Sequence, residues 1–326
     1  MALLKVEADK LSNNQMIAGV VEEIIERDDL FSVLPFVRVN SKAYVYHRED
    51  TGAANNITLG NGTGGNLPTF LDPNDTVIEG AVPFKEIISK LRIIAGDVDV
   101  DKFLQETESD TNDQLSVQIA KKAKAVGRLY HNALANGNNT TAPKEFDGLA
   151  ALMTNADATA AQTVSAGGTG AAMTLSMLDQ LLDTVPNGAD VLIMRRGTIR
   201  AFRTLMRTTG GGTSAAEIMQ PNFGRPMLTH NGVPIIVNDF LPGVETMTAG
   251  AVTSQTGGAT CSIYAARLNE MDGLHGLYGG ADAGLRVENV GTVQTKDAER
   301  IRVKWYCGAA LKSSKSLARL AGITNV

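Results

Sequence analysis

Between residues 12 and 27, SNNQMIAGVVEEIIER puts Met16, Ile17, Val20, Val21, Ile24 and Ile25 on one stripe and Glu22, Glu23 and Glu26 off it. That 3.6-residue period predicts an amphipathic helix, capped by Ser12 or Asn13. A helix so placed packs in the core or lies as an arm on a neighbouring subunit. FSVLPFVRV (31–39) and AYVYHRE (43–49) read as extended. In the second, Ala43, Val45 and His47 alternate with Tyr44, Tyr46 and Arg48, so neither face is strongly apolar. TVIEGAVPFKEIISKLRIIAGDVDV (76–100) is again β-like, with isoleucine and valine throughout.

The longest pattern is Leu115, Ile119, Ala123, Val126, Tyr130 and Ala133, one continuous stripe that predicts a helix from Asp110 to Asn136. Asp110 or Thr111 caps its start and Gly137 follows its end. At about 1.5 Å per residue it is roughly 40 Å long, a structural beam. The middle of the chain alternates. A small-residue loop (154–172) leads to a helix (173–185), a buried strand (190–194) and a helix (195–207) with Ile199, Phe202, Leu205 and Met206 inward. A hairpin (226–237) turns at Asn231-Gly232, with Pro234 expected to hold its second strand at a sheet edge. SIYAARL (262–268) is another strand.

From Gly284 the chain becomes β again. Ile301, Val303, Trp305 and Cys307 alternate with Arg300, Arg302, Lys304 and Tyr306, a strand with one core face and one charged face. Its expected sheet partner is the strand before the long helix. That pairing implies a discontinuous domain, from about 76 to 150 and 284 to 326, with the middle domain inserted.

Composition sharpens this outline. With 326 residues, 43% apolar and 20% charged, the chain is long enough for about two domains of ordinary globular make-up. Its 33 glycines exceed the average of about 7%, which suggests long irregular excursions. A formal charge of −5 speaks against a dedicated nucleic-acid binder. Two cysteines, Cys261 and Cys307, imply no disulfide framework and a reducing compartment. MALLKVEADK does not read as a signal peptide, and no apolar run approaches the ~18 residues that span a bilayer, so no membrane partner is expected.

Candidate chemistry is sparse. GNGTGG (60–65) fits the dinucleotide-binding pattern G-x-G-x-x-G through Gly60, Gly62 and Gly65. That turn needs a strand directly before it and a helix directly after, to hold the pyrophosphate. Here NNIT precedes and NLPTF follows, so Gly60, Gly62, Gly64 and Gly65 read as a mobile loop tip, and no cofactor is expected. The surrounding segment, residues 50–75, is longer than the ~12–15 residues of an ordinary structureless loop. Asp97, Asp99, Asp101 and Glu108 fall at four positions of a calcium loop, but Lys102 replaces its required glycine. The bland reading is a strand end with an acidic, solvated face, and no metal is expected.

Arg195, Arg196, Arg200, Arg203 and Arg207 form the densest basic feature. They could contact phosphates, stay solvated, or pair with acids on a neighbour. His47, His131, His230 and His275 lie far apart in sequence and in no metal-binding spacing. No nucleophile elbow or P-loop occurs. These absences argue against an enzyme.

The order of elements is distinctive: helix, glycine-rich two-armed extension, strand, beam helix, inserted α/β domain, returning strands. It resembles the major capsid proteins of tailed double-stranded-DNA bacteriophages, the Hong Kong 97 fold, which encapsulin nanocompartments share. The most specific local match is the helix exit, Asn136-Gly137, then NNTTAPKE, then Phe146-Asp147-Gly148-Leu149. The resemblance implies an α+β capsid fold with an N-terminal arm (1–42), an extended loop (43–84) and an axial domain (151–283). Its peripheral domain would comprise 85–150 and 284–326, with the spine helix at 110–136. It implies a subunit of an icosahedral shell built of pentamers and hexamers around double-stranded DNA, without sequence-specific contacts. A separate scaffolding protein, a portal and assembly in the host cytoplasm are further implications. No covalent lysine–asparagine crosslink is expected. An encapsulin-like shell around a cargo enzyme is the alternative.

Overall fold

The structure is a computed structural model and describes residues 26–49, 71–76, 84–103, 106, 114–155, 162–209, 217–219, 227–280 and 284–324. The expected N-terminal helix through residue 25, the GNGTGG tip and the cap at 110–111 lie outside them. The described residues fall into two compact units, one within Ala95–Val126 and Leu285–Lys304, the other within Glu26–Ile94, Gly127–Gly284 and Trp305–Val326.

In the first unit, β4 (Arg92–Asp101) supplies residues from Ala95, and α2 (Gln114–Asn136) supplies its first half. β14 (Arg286–Thr292) pairs antiparallel with the first half of β15 (Ala298–Leu311), with a bulge between Asn289 and Gly291. β4 also pairs with β15, the partnership expected from sequence. Ile301 and Val303 of β15 are buried, while the alternate Arg300 and Arg302 grip Asp99 and Asp97 of β4 in paired contacts of 2.7–2.8 Å. The alternation thus describes a strand with an apolar face and an ion-pair ladder.

The second unit is built on a seven-stranded sheet. In spatial order it holds β5 (Thr163–Ser165), β16 (Leu317–Ile323), β12 (Cys261–Ala266), β6 (Val191–Met194), β9 (Val233–Val237), β8 (Met227–His230) and β7 (Glu217–Met219). Helices α4 (Leu175–Asp183) and α5 (Arg196–Thr209) pack on one face, with Leu178, Leu181, Ile199, Phe202 and Met206 in a shared core with Leu192, Ile263 and Leu320. Thr174 caps α4 by accepting from the Met177 amide. Asn231 and Gly232 both have positive φ, 49° and 77°, as a two-residue hairpin turn requires.

Two features differ from the sequence expectation. β9 lies inside the sheet, between β6 and β8, rather than at an edge. Its ladder with β6 begins at Ile235, so the missing N–H of Pro234 falls just outside that ladder. The C-terminal β16, read with the peripheral strands, pairs with β12 and β5, whereas β13 (Leu274–Gly279), read with the middle domain, pairs with β15 and β1 (Phe36–Val39). Sheet membership follows partners distant in sequence, which local patterns do not carry.

The second half of α2 buries Tyr130, Ala133 and Leu134. Tyr130 meets Trp305 at a ring separation of 4.5 Å and Phe146 at 5.3 Å. The short α1 (Leu30–Val33) adds Phe31 to this aromatic group. Its approach is held by Asp28, whose carboxylate accepts from the Leu30 amide and lies 2.7 Å from Nδ1 of His131.

Candidate assembly surfaces

The extension leaves the second unit as a ribbon, β2 (Ala43–Glu49) paired antiparallel with β3 (Phe84–Lys90) from Ala43↔Lys90 to Glu49↔Phe84. A two-stranded ribbon buries no core of its own, so its root needs other anchors. Tyr46 donates its hydroxyl to the Leu311 carbonyl at 2.6 Å, and Arg48 donates to the carbonyls of Leu311 and Lys312 at 2.9 and 2.8 Å. Tyr44 stands edge-on to the buried His275 at 5.6 Å. The face that looked too polar to be a core face is therefore the docked one. Its aromatic bodies pack on Val39, Leu277 and Ala310 while the polar tips reach main-chain oxygens. The opposite face shows Val45, Ile88 and Phe84 to solvent, at 48, 51 and 72% exposure.

His275 is enclosed beneath this root. Nδ1 lies 3.2 Å from the Gly273 carbonyl, and Nε2 has no partner among the described residues. Burial holds its pKa below the usual histidine value, Lys312 acts in the same direction, and the Gly273 carbonyl and Glu270 oppose them.

The exit of α2 is made of glycines at close approaches. Gly137 N–H donates to Ala133 O at 2.8 Å, and Gly148 N–H donates to Gly137 O at 2.9 Å. A Cβ at Gly148 would fall against the Ala133 carbonyl oxygen and within 2.7 Å of Leu134 O. Neither glycine has positive φ among those that do, so the need is space beside helix carbonyls rather than a left-handed turn. Asp147 accepts from the Asn139 amide at 2.9 Å and holds the loop closed. Beside it a cavity of about 230 Å³ is lined by Ser89, Lys90, Arg92, Asn139, Phe146 and Asp147.

The five arginines separate into roles. Arg195 turns inward, donating from Nη1 to Leu241 O at 3.1 Å and covering Gly243. Arg196 pairs with Asp239 at 2.9 Å. Arg200, Arg203 and Arg207 lie on the exposed face of α5.

Asp97 and Asp99 are occupied by Arg302 and Arg300, whose hydrogen bonds hold both carboxyls below the usual range. The two histidines with carboxylate partners, His131 and His230, meet Asp28 and Asp179 separately. Burial pushes the thiols of Cys261 and Cys307 up to about 11 and about 12, which keeps both as apolar core groups. No helix among the described residues is long and apolar enough to cross a membrane.

One buried polar group had almost no signal in the local pattern. Arg319 of β16 and Glu245 pair beneath the sheet face opposite α4 and α5, bridged by Ser262. The only hint was an arginine inside the apolar run LARLAGI.

Residues 90–247, which include α2, its exit loop and α5, match the family described as SU10 major capsid protein. No curated protein matches the sequence. Among solved structures, the holo-SrpI encapsulin complex from Synechococcus elongatus PCC 7942 is similar with a TM-score of 0.71 at 20% identity, covering 100% of this chain and 98% of that one. The capsid asymmetric unit of cyanophage A-1(L) gives 0.66 at 13% identity, covering 99% and 100%. The capsid of an empty GTA particle gives 0.65 at 14% identity, covering 97% of each.

Proposed function

We propose, for a chain that carries the Hong Kong 97 capsid fold, that it is the structural subunit of an icosahedral viral capsid. The observation that carries this reading is the match of residues 90–247 to a phage major capsid family. The anchored ribbon supports it. Its exposed Val45, Ile88 and Phe84 and its two strand edges need a partner, and in a homo-oligomer that partner is another copy of the chain. Residues 43–84 are then the extended loop, with Gly60, Gly62, Gly64 and Gly65 at the tip that reaches a neighbour. Many modest contacts per subunit sum to a stable closed particle. The role is structural, not enzymatic. The particle would enclose double-stranded DNA and assemble in the host cytoplasm with a separate scaffold and portal.

An encapsulin-like shell is the second reading, favoured by the similarity to the SrpI shell protein over the full chain. Genomic neighbours separate the two: portal and terminase genes for the capsid, a cargo-enzyme gene for the nanocompartment. The deciding experiment for both is negative-stain electron microscopy of the expressed protein. Hollow, closed particles are expected; a uniformly monomeric protein under all assembly conditions would overturn the shell reading.

A further inference from the structure

Helix α5 and the residue before it carry five arginines and no carboxylate of their own, and Asp239 from outside the helix meets Arg196 at 2.9 Å. Arg196, Arg200, Arg203 and Arg207 follow one another by four, three and four residues, all exposed, and so form a single stripe. At about 1.5 Å per residue the stripe is roughly 16 Å long, with guanidinium groups about 5 Å apart along it. The opposite side of the helix is held by Ile199, Phe202 and Met206 in the core, so the stripe has one orientation. Thr204 and Thr208 lie on the exposed surface too, and both return their hydroxyls to carbonyls of their own helix.

The composition of this face decides between kinds of partner. A stable protein contact needs an apolar or aromatic centre shielded from water, and this face offers arginine, threonine and glycine only. A carboxylate-bearing segment also presents its charges only where its sequence places them. A phosphodiester strand presents one about every 3.4 Å, or about five along this stripe. Guanidinium groups keep their charge at all relevant pH and match phosphate oxygens with paired N–H donors. The chain's formal charge of −5 makes the stripe local, not a property of the whole surface.

We infer that the outer face of α5 binds the phosphodiester backbone of duplex DNA without reading its sequence. The inference rests on the shell reading for the source of that duplex, the enclosed genome. Contacts of this kind are weak singly and salt-dependent, so they would order DNA near the wall without trapping it.

The test is fluorescence anisotropy of a labelled 20-base-pair duplex with the full chain across a salt series. Wild type, the triple variant R200Q/R203Q/R207Q and the triple lysine variant at the same positions are compared. Each lost charge should flatten the dependence of log K on log salt by about 0.9, so the glutamine variant should lose about 2–3 from the slope. The lysine variant should retain it, and a poly-glutamate peptide should bind more weakly than the duplex. Single R203Q and R207Q chains, each losing about 0.9, serve if the triple variant does not fold. Equal slopes in wild type and glutamine variants, or tighter binding of the peptide, would overturn the inference. So would a glutamine variant that loses shell formation but keeps duplex affinity, which would make the stripe a subunit contact. The salt slope is readable on unassembled protein, so absence of particles defeats the shell reading without deciding this one.

Discussion

Arg319 Nη2 lies 2.9 Å from Glu245 Oε1, with the carboxylate fully buried and the guanidinium nearly so. Ser262 completes the group, accepting from Arg319 Nε at 2.8 Å and donating to Glu245 Oε2 at 2.5 Å, and Tyr264 lies beneath the cation at 5.6 Å. The three residues come from β16, β12 and the segment before the hairpin of β10 (Thr246–Thr248) and β11 (Ala251–Ser254). Burial holds the Glu245 carboxyl above its usual value even against the attraction of Arg319.

Removing one partner alone should therefore be severe. Arg319→Met leaves a buried carboxylate without its cation and should cost about 3–5 kcal/mol. The double variant Glu245→Leu/Arg319→Met should recover most of that loss, because paired charges and apolar residues of similar volume are nearly equivalent in a core. Urea unfolding followed by the single tryptophan, Trp305, measures both. Equal loss in the single and double variants would assign the effect to packing alone.

The two glycines of α2 and its exit predict opposite signs for one substitution. Gly148→Ala forces a methyl against helix carbonyls and should destabilise by about 1–3 kcal/mol. Gly127→Ala places its methyl in open space inside the helix and should stabilise by about 0.5–1 kcal/mol. Thermal melting of the two variants against wild type reads the contrast, and a shared sign would contradict the geometry described.

The long helix and the core stripes of α4 and α5 were legible because each buries one face through local, periodic contacts. β15 was legible by alternation. The exchange of β13 and β16 between sheets was not, since it depends on pairings such as Tyr264↔Arg319 across 55 positions. The ribbon was misread as lacking a core face because Tyr44, Tyr46 and Arg48 hide apolar bodies behind polar tips. Of the candidate sites, the arginine run was visible as composition. Only the structure separates the inward Arg195 from the outward stripe.

Acid should weaken the ribbon root through His275. A histidine whose folded pKa is depressed contributes stability above its unfolded value of about 6.5, and loses it as pH falls towards the folded value. Lys312 and Glu270 are the charged groups acting on it, with Tyr44 against its ring. Between pH 7.5 and 5.5 the urea midpoint of wild type should fall more than that of His275→Leu. Parallel profiles would exclude His275 as the source.

The exposed face of the ribbon should matter for assembly but not for folding. Val45 and Ile88 face each other across the ladder, so Val45→Glu or Ile88→Lys should change subunit stability by no more than about 0.5 kcal/mol. Both should abolish closed particles, scored by light scattering and negative stain. Normal particles would remove this face from the subunit contact.

The hydrogen bonds at the ribbon root end on carbonyl oxygens of residues 311 and 312, and the Lys312 ammonium also stands 5.6 Å from the centre of the Tyr44 ring. A backbone acceptor is present whatever amino acid occupies the position. Substitutions there leave these hydrogen bonds in place, provided the strand keeps its path. The requirement falls on the donors, Tyr46 and Arg48. The polar part of the attachment is thus specified by the ribbon alone, whereas its packing on Val39, Leu277 and Ala310 ties the two surfaces together.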